Sequence, residues 1–287
     1  MRILPITAGW LLAAAFPLLA QVQVEVVLDQ EQFLRDESLP VKVRITNRSG
    51  QTLKLGADAD WLTFSVESRD GFIVTKLADA PAAGEFSLES AMVGTKRIDL
   101  LPYFDVSQPG RYTVVANVKI KQWNDEVSSK PKPFEISRGT KIWEQEFGVP
   151  TSAGAPEVRK YALQQAQYLK RLVLYCRLTD AEDNRVFRVL PLGPLVSFSR
   201  PEAQVDKASN LHVLFQTGAR SFVYNMINPD GAVLVRQTHD YTASRPRLKG
   251  SEDGTISVSG GARRASADDL PASTAVASTN NVNAPKP

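Results

Sequence analysis

The chain has 287 residues, of which 43% are hydrophobic and 23% charged, and its net charge is +3. That length predicts about two domains on a prior of roughly 150 residues each. Lys and Arg are scattered, with no basic run of the kind a phosphate-tracking surface needs, so nucleic acid is not among the expected partners.

The chain opens "MRILPITAGWLLAAAFPLLAQ". Arg2 supplies a positive start, Ile6 to Leu19 an apolar stretch, and Ala20 a small residue before a cleavable bond, so residues 1–20 read as a signal peptide. The apolar run is shorter than the ~20 residues a membrane span needs. No later segment is apolar enough to cross a bilayer. The expected destination is therefore periplasmic or secreted, with no transmembrane span after cleavage. Cys176 is the single cysteine and has no internal disulfide partner. In "LVLYCRL" it shares a strand face with Leu172, Leu174 and Leu178, and reads as a small buried hydrophobe.

Residues 21–137 alternate with the period of a half-buried strand. Val22, Val24 and Val26 face one way; Val41, Val43 and Ile45 repeat the pattern; Tyr112, Val114, Ala116, Val118 and Ile120 close it. "LTFSVESRDGFIV" reads as a hairpin turning at Asp70-Gly71. Several short strands with turns between them predict an antiparallel sandwich. "ITNRSGQTLKL" and the later "PGRYTV" resemble the bacterial immunoglobulin-like sandwiches of exported proteins. Gly110 and Tyr112 are similar to the tyrosine corner of that fold, while Val114 stands where a cysteine of the family would fall. The resemblance implies a fold shared by adhesion modules, enzyme accessory domains and proteinase-inhibitor-like domains, and fold does not choose among them.

Residues 138–156 read as a linker, with Ile142, Trp143 and Phe147 pinned in part to a core. "PEVRKYALQQAQYLKR" predicts one helix: Pro156 suits its first turn, Glu157 its positive end, and Ala162, Leu163, Ala166 and Leu169 one stripe. Strands return beyond it, and with them an echo. "SRPEAQVDKASNLHVLFQTGAR" (199–220) is matched by "SRPRLKGSEDGTISVSGGAR" (244–263). Each is preceded by a strand–turn–strand pattern, "LYCRLTDAEDNRVFRVL" and "VYNMINPDGAVLVRQ". Two consecutive units of about 45 residues follow. Such periods are typical of propeller blades, and "SEDGTISV" resembles a degraded Asp-box. Two units do not close a ring, so the expected outcome is an antiparallel β domain over 157–262 backed by the helix, with a propeller completed by self-association as the alternative. Residues 263–287 have almost nothing large to bury and read as a disordered tail.

The chemistry-bearing residues are few. His212 and His239 are the only histidines. In "NLHVLFQ", Leu211, Val213 and Phe215 face away from His212. Neither histidine has partners at metal-ligand spacing, and each reads as a strand residue. The acidic clusters at 56–60, 179–184 and 251–254 fall at predicted turns, where Asp and Asn have a structural reason to be. No nucleophile elbow, phosphate loop or zinc-protease helix motif is present. No cofactor or metal is expected. Trp123, on the polar side of a strand beside Lys119 and Lys121, reads as the cap of a domain junction or as a partner anchor. A pocket at the domain junction near Trp143 is the place to look for a ligand. The leading expectation is an exported, non-catalytic binding or scaffolding protein that recognises a protein or glycan of the cell envelope through loops. Its candidate contacts are Trp123, Trp143, His212 and His239. A proteinase-inhibitor-like protein, and a glycan-acting enzyme using carboxylates of the C-terminal β domain, are the alternatives.

Overall fold

The computed structural model describes residues 21–82, 84–150, 154 and 156–271. The signal-peptide reading of residues 1–20, and the expected tail from 272 on, lie outside the described residues. The described protein is mainly β. Its only helical segments are two single 3-10 turns, Leu101–Tyr103 and Lys121–Trp123.

The first domain is a sandwich. One sheet runs β1 (Val22–Leu28), β3 (Pro40–Asn47), β7 (Val93–Asp99), antiparallel throughout. The other runs β2 (Gln32–Leu34), β10 (Lys132–Ser137), β8 (Gly110–Ile120), β5 (Leu62–Ser68), with β9 (Asp125–Ser128) also pairing β8. The β2–β10 pair is parallel. A small ribbon joins β4 (Leu53–Leu55) to β6 (Phe86–Leu88). The alternating apolar positions of β1, β3 and β8 meet in one buried core. Tyr112 is wholly buried there; its ring stacks on Phe134 with centroids 5.3 Å apart, and its hydroxyl donates to the Gln108 carbonyl four residues upstream.

The hairpin expected at Asp70-Gly71 does not form. β5 pairs with β8 instead, from Leu62↔Val118 to Ser68↔Tyr112. The turn residue Asp70 accepts hydrogen bonds from the Arg111 amide (2.7 Å) and guanidinium (2.8 Å), which ties it to the start of β8. Gly110 leaves room for this contact: a Cβ there would sit 2.8 Å from Asp70 Oδ2 and would push the carboxylate aside.

The second domain is also a sandwich. One sheet has the order β11 (Thr140–Val149), β12 (Glu157–Tyr168), β13 (Arg171–Asp180), β14 (Val186–Leu195). The other has the order β15 (Glu202–Val205), β16 (Leu211–Gln216), β17 (Ser221–Ile227), β18 (Val233–Asp240), β21 (Ala262–Arg264). A hairpin of β19 (Arg247–Gly250) and β20 (Ile256–Ser259) covers the outer face of this second sheet, where Leu248, Ile256 and Val258 meet Leu214, Phe222 and Tyr224.

The predicted helix is therefore a strand. β12 pairs with β11 over Glu157–Gln165 on one side and with β13 over Arg159–Tyr168 on the other. Tyr161 and Leu163 enter the sandwich core, and Ala166 faces the first domain. A strand buried on both faces loses its clean alternation and imitates a helical stripe. Leu169, the last member of that stripe, sits exposed in the β12–β13 turn at φ 53°. The linker reading is corrected as well: Thr140–Val149 is β11, with Phe147 stacked on Tyr161 at 4.2 Å. Part of the expected tail is ordered, since β21 pairs with β18, and Leu270 exchanges two backbone hydrogen bonds with Arg236.

Each 45-residue unit is a pair of hairpins, β13–β14 with β15–β16, then β17–β18 with β19–β20. Neither unit is a propeller blade, because the hairpins are distributed over different sheets. Repeat-equivalent regions touch: Arg245 Nη2 donates to Ser199 Oγ (3.4 Å), Arg247 Nη1 to Glu202 (2.9 Å) and Lys207 Nζ to the Asp253 carbonyl (2.7 Å).

The first domain packs on the outer face of the β11–β14 sheet. Leu34 is buried among Ala166, Tyr175 and Val189. Beside this contact Arg177 donates to Asp36 at 2.7 Å, and Gln32 Nε2 donates to the Gln167 carbonyl at 2.7 Å.

Candidate functional sites

The structure divides the four sequence-derived candidates among three places. Trp123 ends a 3-10 turn and packs, partly buried, against the first-domain core. Trp143 lies on β11 and packs against the second-domain core. The two tryptophans thus serve separate cores. His212 and His239 occupy the same, outer face of the β15–β21 sheet, where both are buried.

Trp143 lines a cleft of about 490 Å³ at the open seam of the sandwich, with Ile142, Leu163, Phe198 and Arg200 among its walls. It is a seam within the second domain, not the domain junction. Two features of the chain create it. Ile142 is an extra residue in the β11 ladder, where Lys141 pairs with Gln164 and Trp143 with the adjacent Leu163. Opposite, Ser197–Pro201 crosses from one sheet to the other and leaves Phe198 85% exposed. Large apolar side chains at a rim, with a guanidinium beside them, are the composition of a protein-binding hot spot. Phe198 had no signature in the sequence: one aromatic between two serines has no periodicity to betray its exposure.

The domain junction holds a different cleft, of about 580 Å³. It is lined by Asp29, Asp36, Glu37, Asp99 and Arg97 of the first domain and the β14 residues Phe187–Pro191 of the second. Its carboxylates are already engaged. Asp29 meets Lys42 and Arg97, Asp36 meets Arg177, Asp99 accepts from the Leu39 and Leu101 amides, and Glu37 from the Leu34 amide and Gln30. Burial pushes the Glu37 carboxyl up, against those two hydrogen bonds.

His212 is the centre of a buried polar relay that spacing along the chain did not reveal. Its Nε2 lies 3.0 Å from Asp206 Oδ2 and its Nδ1 lies 2.7 Å from the Tyr224 hydroxyl. Asp206 sits in the β15–β16 turn, where it also accepts from the amides of Ala208 and Asn210, both at 2.8 Å. Burial pushes the Asp206 carboxyl up, but His212, Asn210 and these amides outweigh it, and the net shift is downward. Burial, and then Asp206, push the Tyr224 hydroxyl up, which keeps it protonated. Both ring nitrogens of His212 are committed and only 3% of the residue is exposed, so the relay serves as a satisfied polar element in an apolar face.

His239 is less satisfied. Its Nε2 is buried without a hydrogen-bond partner. Burial, and then Arg263, hold its pKa down, against Asp269 and Asp240. The Cys176 thiol is fully buried, and burial pushes it up to about 12, far from a nucleophilic thiolate.

The acidic clusters also have local partners. Asp58 pairs with Lys121 and Asp60 with Lys119; Asp183 pairs with Lys160; Asp253 accepts from the Thr255 amide and hydroxyl in the β19–β20 turn. Among the described residues no group of three His, Cys, Asp or Glu side chains is placed to hold a metal ion, and no helix is long and apolar enough to cross a membrane.

No family model matches the chain, and no curated protein matches it. Among solved structures it is similar to the crystal structure of Spo0M, a sporulation control protein from Bacillus subtilis. The identity is 7%, the TM-score 0.30, and the match covers 55% of this chain and 79% of that one. A likeness this slight carries no argument.

Proposed function

We propose that this protein is an exported, non-catalytic binding or scaffolding protein of the cell envelope, and that it docks a protein partner at the Trp143–Phe198 cleft. The observation that carries the reading is the exposed Phe198 beside Trp143 and Ile142, an apolar rim with Arg200 at its border. Export is supported by residues 1–20, whose charged start, apolar stretch and terminal Ala20 have the form of a signal peptide. The immunoglobulin-like reading of residues 21–137 belongs to the same proposal, and the Tyr112–Gln108 hydrogen bond supports it. A binding role is supported further by the chemistry of the buried groups. The thiol of Cys176 is raised, and the His212 relay is saturated and covered.

The test has two parts. Cell fractionation should find the protein outside the cytoplasm; a cytoplasmic location would remove the export reading. Purified protein should then retain an envelope protein that the Trp143→Ala/Phe198→Ala double variant releases. Equal retention by both would remove this surface from the proposal.

A further inference from the structure

The two sheets of the second domain end in β11, β14, β15 and β21, and of these only β11 and β14 are long. β14 faces the first domain and carries Pro191 and Pro194, which have no N–H to offer a partner. β15 lies under the hairpin, whose Leu248 amide and Arg247 guanidinium both donate to Glu202. β18 is overlaid by β21 and by Leu270.

β11 is the fourth edge. Its ten residues contain no proline, and among the described residues no strand pairs with its outer side. Near its end the Gly148 carbonyl accepts from the Ser209 hydroxyl. A free edge of this length exposes a row of unpaired N–H and C=O groups, a template for another strand. The apolar rim of Ile142, Trp143 and Phe198 lies beside it.

The order of charges along β11 selects the occupant. The segment begins with Arg138 and Lys141 and continues with Glu144 and Glu146. The extra residue Ile142 places Lys141, Glu144 and Glu146 on one face, opposite Gln164, Ala162 and Lys160 of β12. Lys141 and Glu144 already meet within one chain at 2.7 Å, both about half exposed and so free to exchange partners. An antiparallel copy of this strand sets its basic end against the acidic end, twice about a two-fold axis. A parallel copy would set like against like.

We infer that a second copy of this chain docks here, β11 against β11 in antiparallel pairing, so that two four-stranded sheets become one sheet running through a dimer. Lys141 and Glu144 flank Trp143, and in the register that pairs Lys141 with the second copy's acidic end the axis falls at the apolar rim. This inference rests on reading the Trp143–Phe198 surface as a protein-docking site, and it names the partner.

Sedimentation velocity of the purified protein over roughly 1–100 µM should show a dimer that dissociates on dilution. Arg138→Glu/Lys141→Glu makes the strand acidic, and Glu144→Lys/Glu146→Lys makes it basic. Each variant alone should be monomeric, and their equimolar mixture should recover the dimer mass. In the wild type, hydrogen exchange of the β11 amides should slow as concentration rises, a readout that needs no variant. A wild type that stays monomeric across the range, or a dimer that neither charge variant disturbs, overturns the inference. A monomer that still retains an envelope protein overturns the dimer and leaves the docking reading; a dimer that retains none removes a different envelope protein as the occupant and leaves the second copy.

Discussion

Arg247 donates to the carboxylate of Glu202 at 2.9 Å, and the two residues hold the same place in successive copies of the repeat, each following Ser-Arg-Pro. The adjacent Leu248 amide gives a second hydrogen bond to Glu202 at 2.8 Å. One carboxylate therefore fastens the β19–β20 hairpin over the sheet. Glu202→Ala should lower stability by about 1–2 kcal/mol, with faster hydrogen exchange at Leu248 than at β16 amides. Arg247→Ala should cost less, because the Arg247 side chain is mostly exposed and the amide bond to Glu202 survives. Unchanged exchange at Leu248 in Glu202→Ala would show that apolar packing alone holds the hairpin.

Beneath the hairpin, His212 joins Asp206 to Tyr224. Replacing the ring by an apolar group removes one hydrogen bond from the partly buried Asp206 carboxylate, which keeps Ala208 and Asn210, and takes the Nδ1 partner from the buried Tyr224 hydroxyl. His212→Leu should cost about 2–4 kcal/mol in urea unfolding, and Tyr224→Phe only about 1 kcal/mol. Equal losses in the two variants would contradict the central place given to Asp206.

His239 gives the pH dependence its sign. Its folded pKa is depressed by burial and Arg263, so the unfolded chain binds the proton more readily. The stability it protects is complete above the ordinary histidine range and declines as pH falls through that range. From neutral to mildly acidic pH, His239→Gln should lose less stability than the wild type. A parallel decline in both proteins, followed by thermal melts at each pH, would remove His239 as the cause.

Arg177 and Asp36 link the two domains beside Leu34. Both side chains are largely buried, so either single replacement takes the closest partner from the other, leaving Asp36 with the more distant Arg35 or Arg177 with the Arg35 carbonyl. A double-mutant cycle of Arg177→Ala and Asp36→Ala should give a coupling of about 1 kcal/mol or more. Small-angle scattering of either variant should show a larger radius of gyration as the domains loosen. A coupling near zero would assign the junction to Leu34 and its apolar neighbours.

The surface-facing strands were legible in the sequence because one of their faces is wet. Val22, Val24 and Val26, or Tyr112 through Ile120, alternate since every second side chain meets water, and their inward partners are those the alternation names. The echo of Ser-Arg-Pro was legible too, because each copy opens a hairpin that needs its own turn. β12 was not, since neighbouring strands, the sandwich core and the first domain bury its middle on both faces and Ala, Leu and Gln then take positions a helix would also favour. Of the candidate contacts, Trp143 lines a cleft; its companion Phe198 and the Asp206 and Tyr224 partners of His212 carry no mark in the linear order.

The sequence by itself determined the β class, the two successive units and the inward faces of the outer strands, because period-two burial is a local property of a pleated chain. Only the tertiary structure decided that Thr140–Val149 and Glu157–Tyr168 are strands, that His212 reaches Asp206 and Tyr224, and that β11 is left as an open edge. Those outcomes depend on which strands become neighbours, and strand neighbours are chosen by ladder hydrogen bonds between segments far apart in the chain.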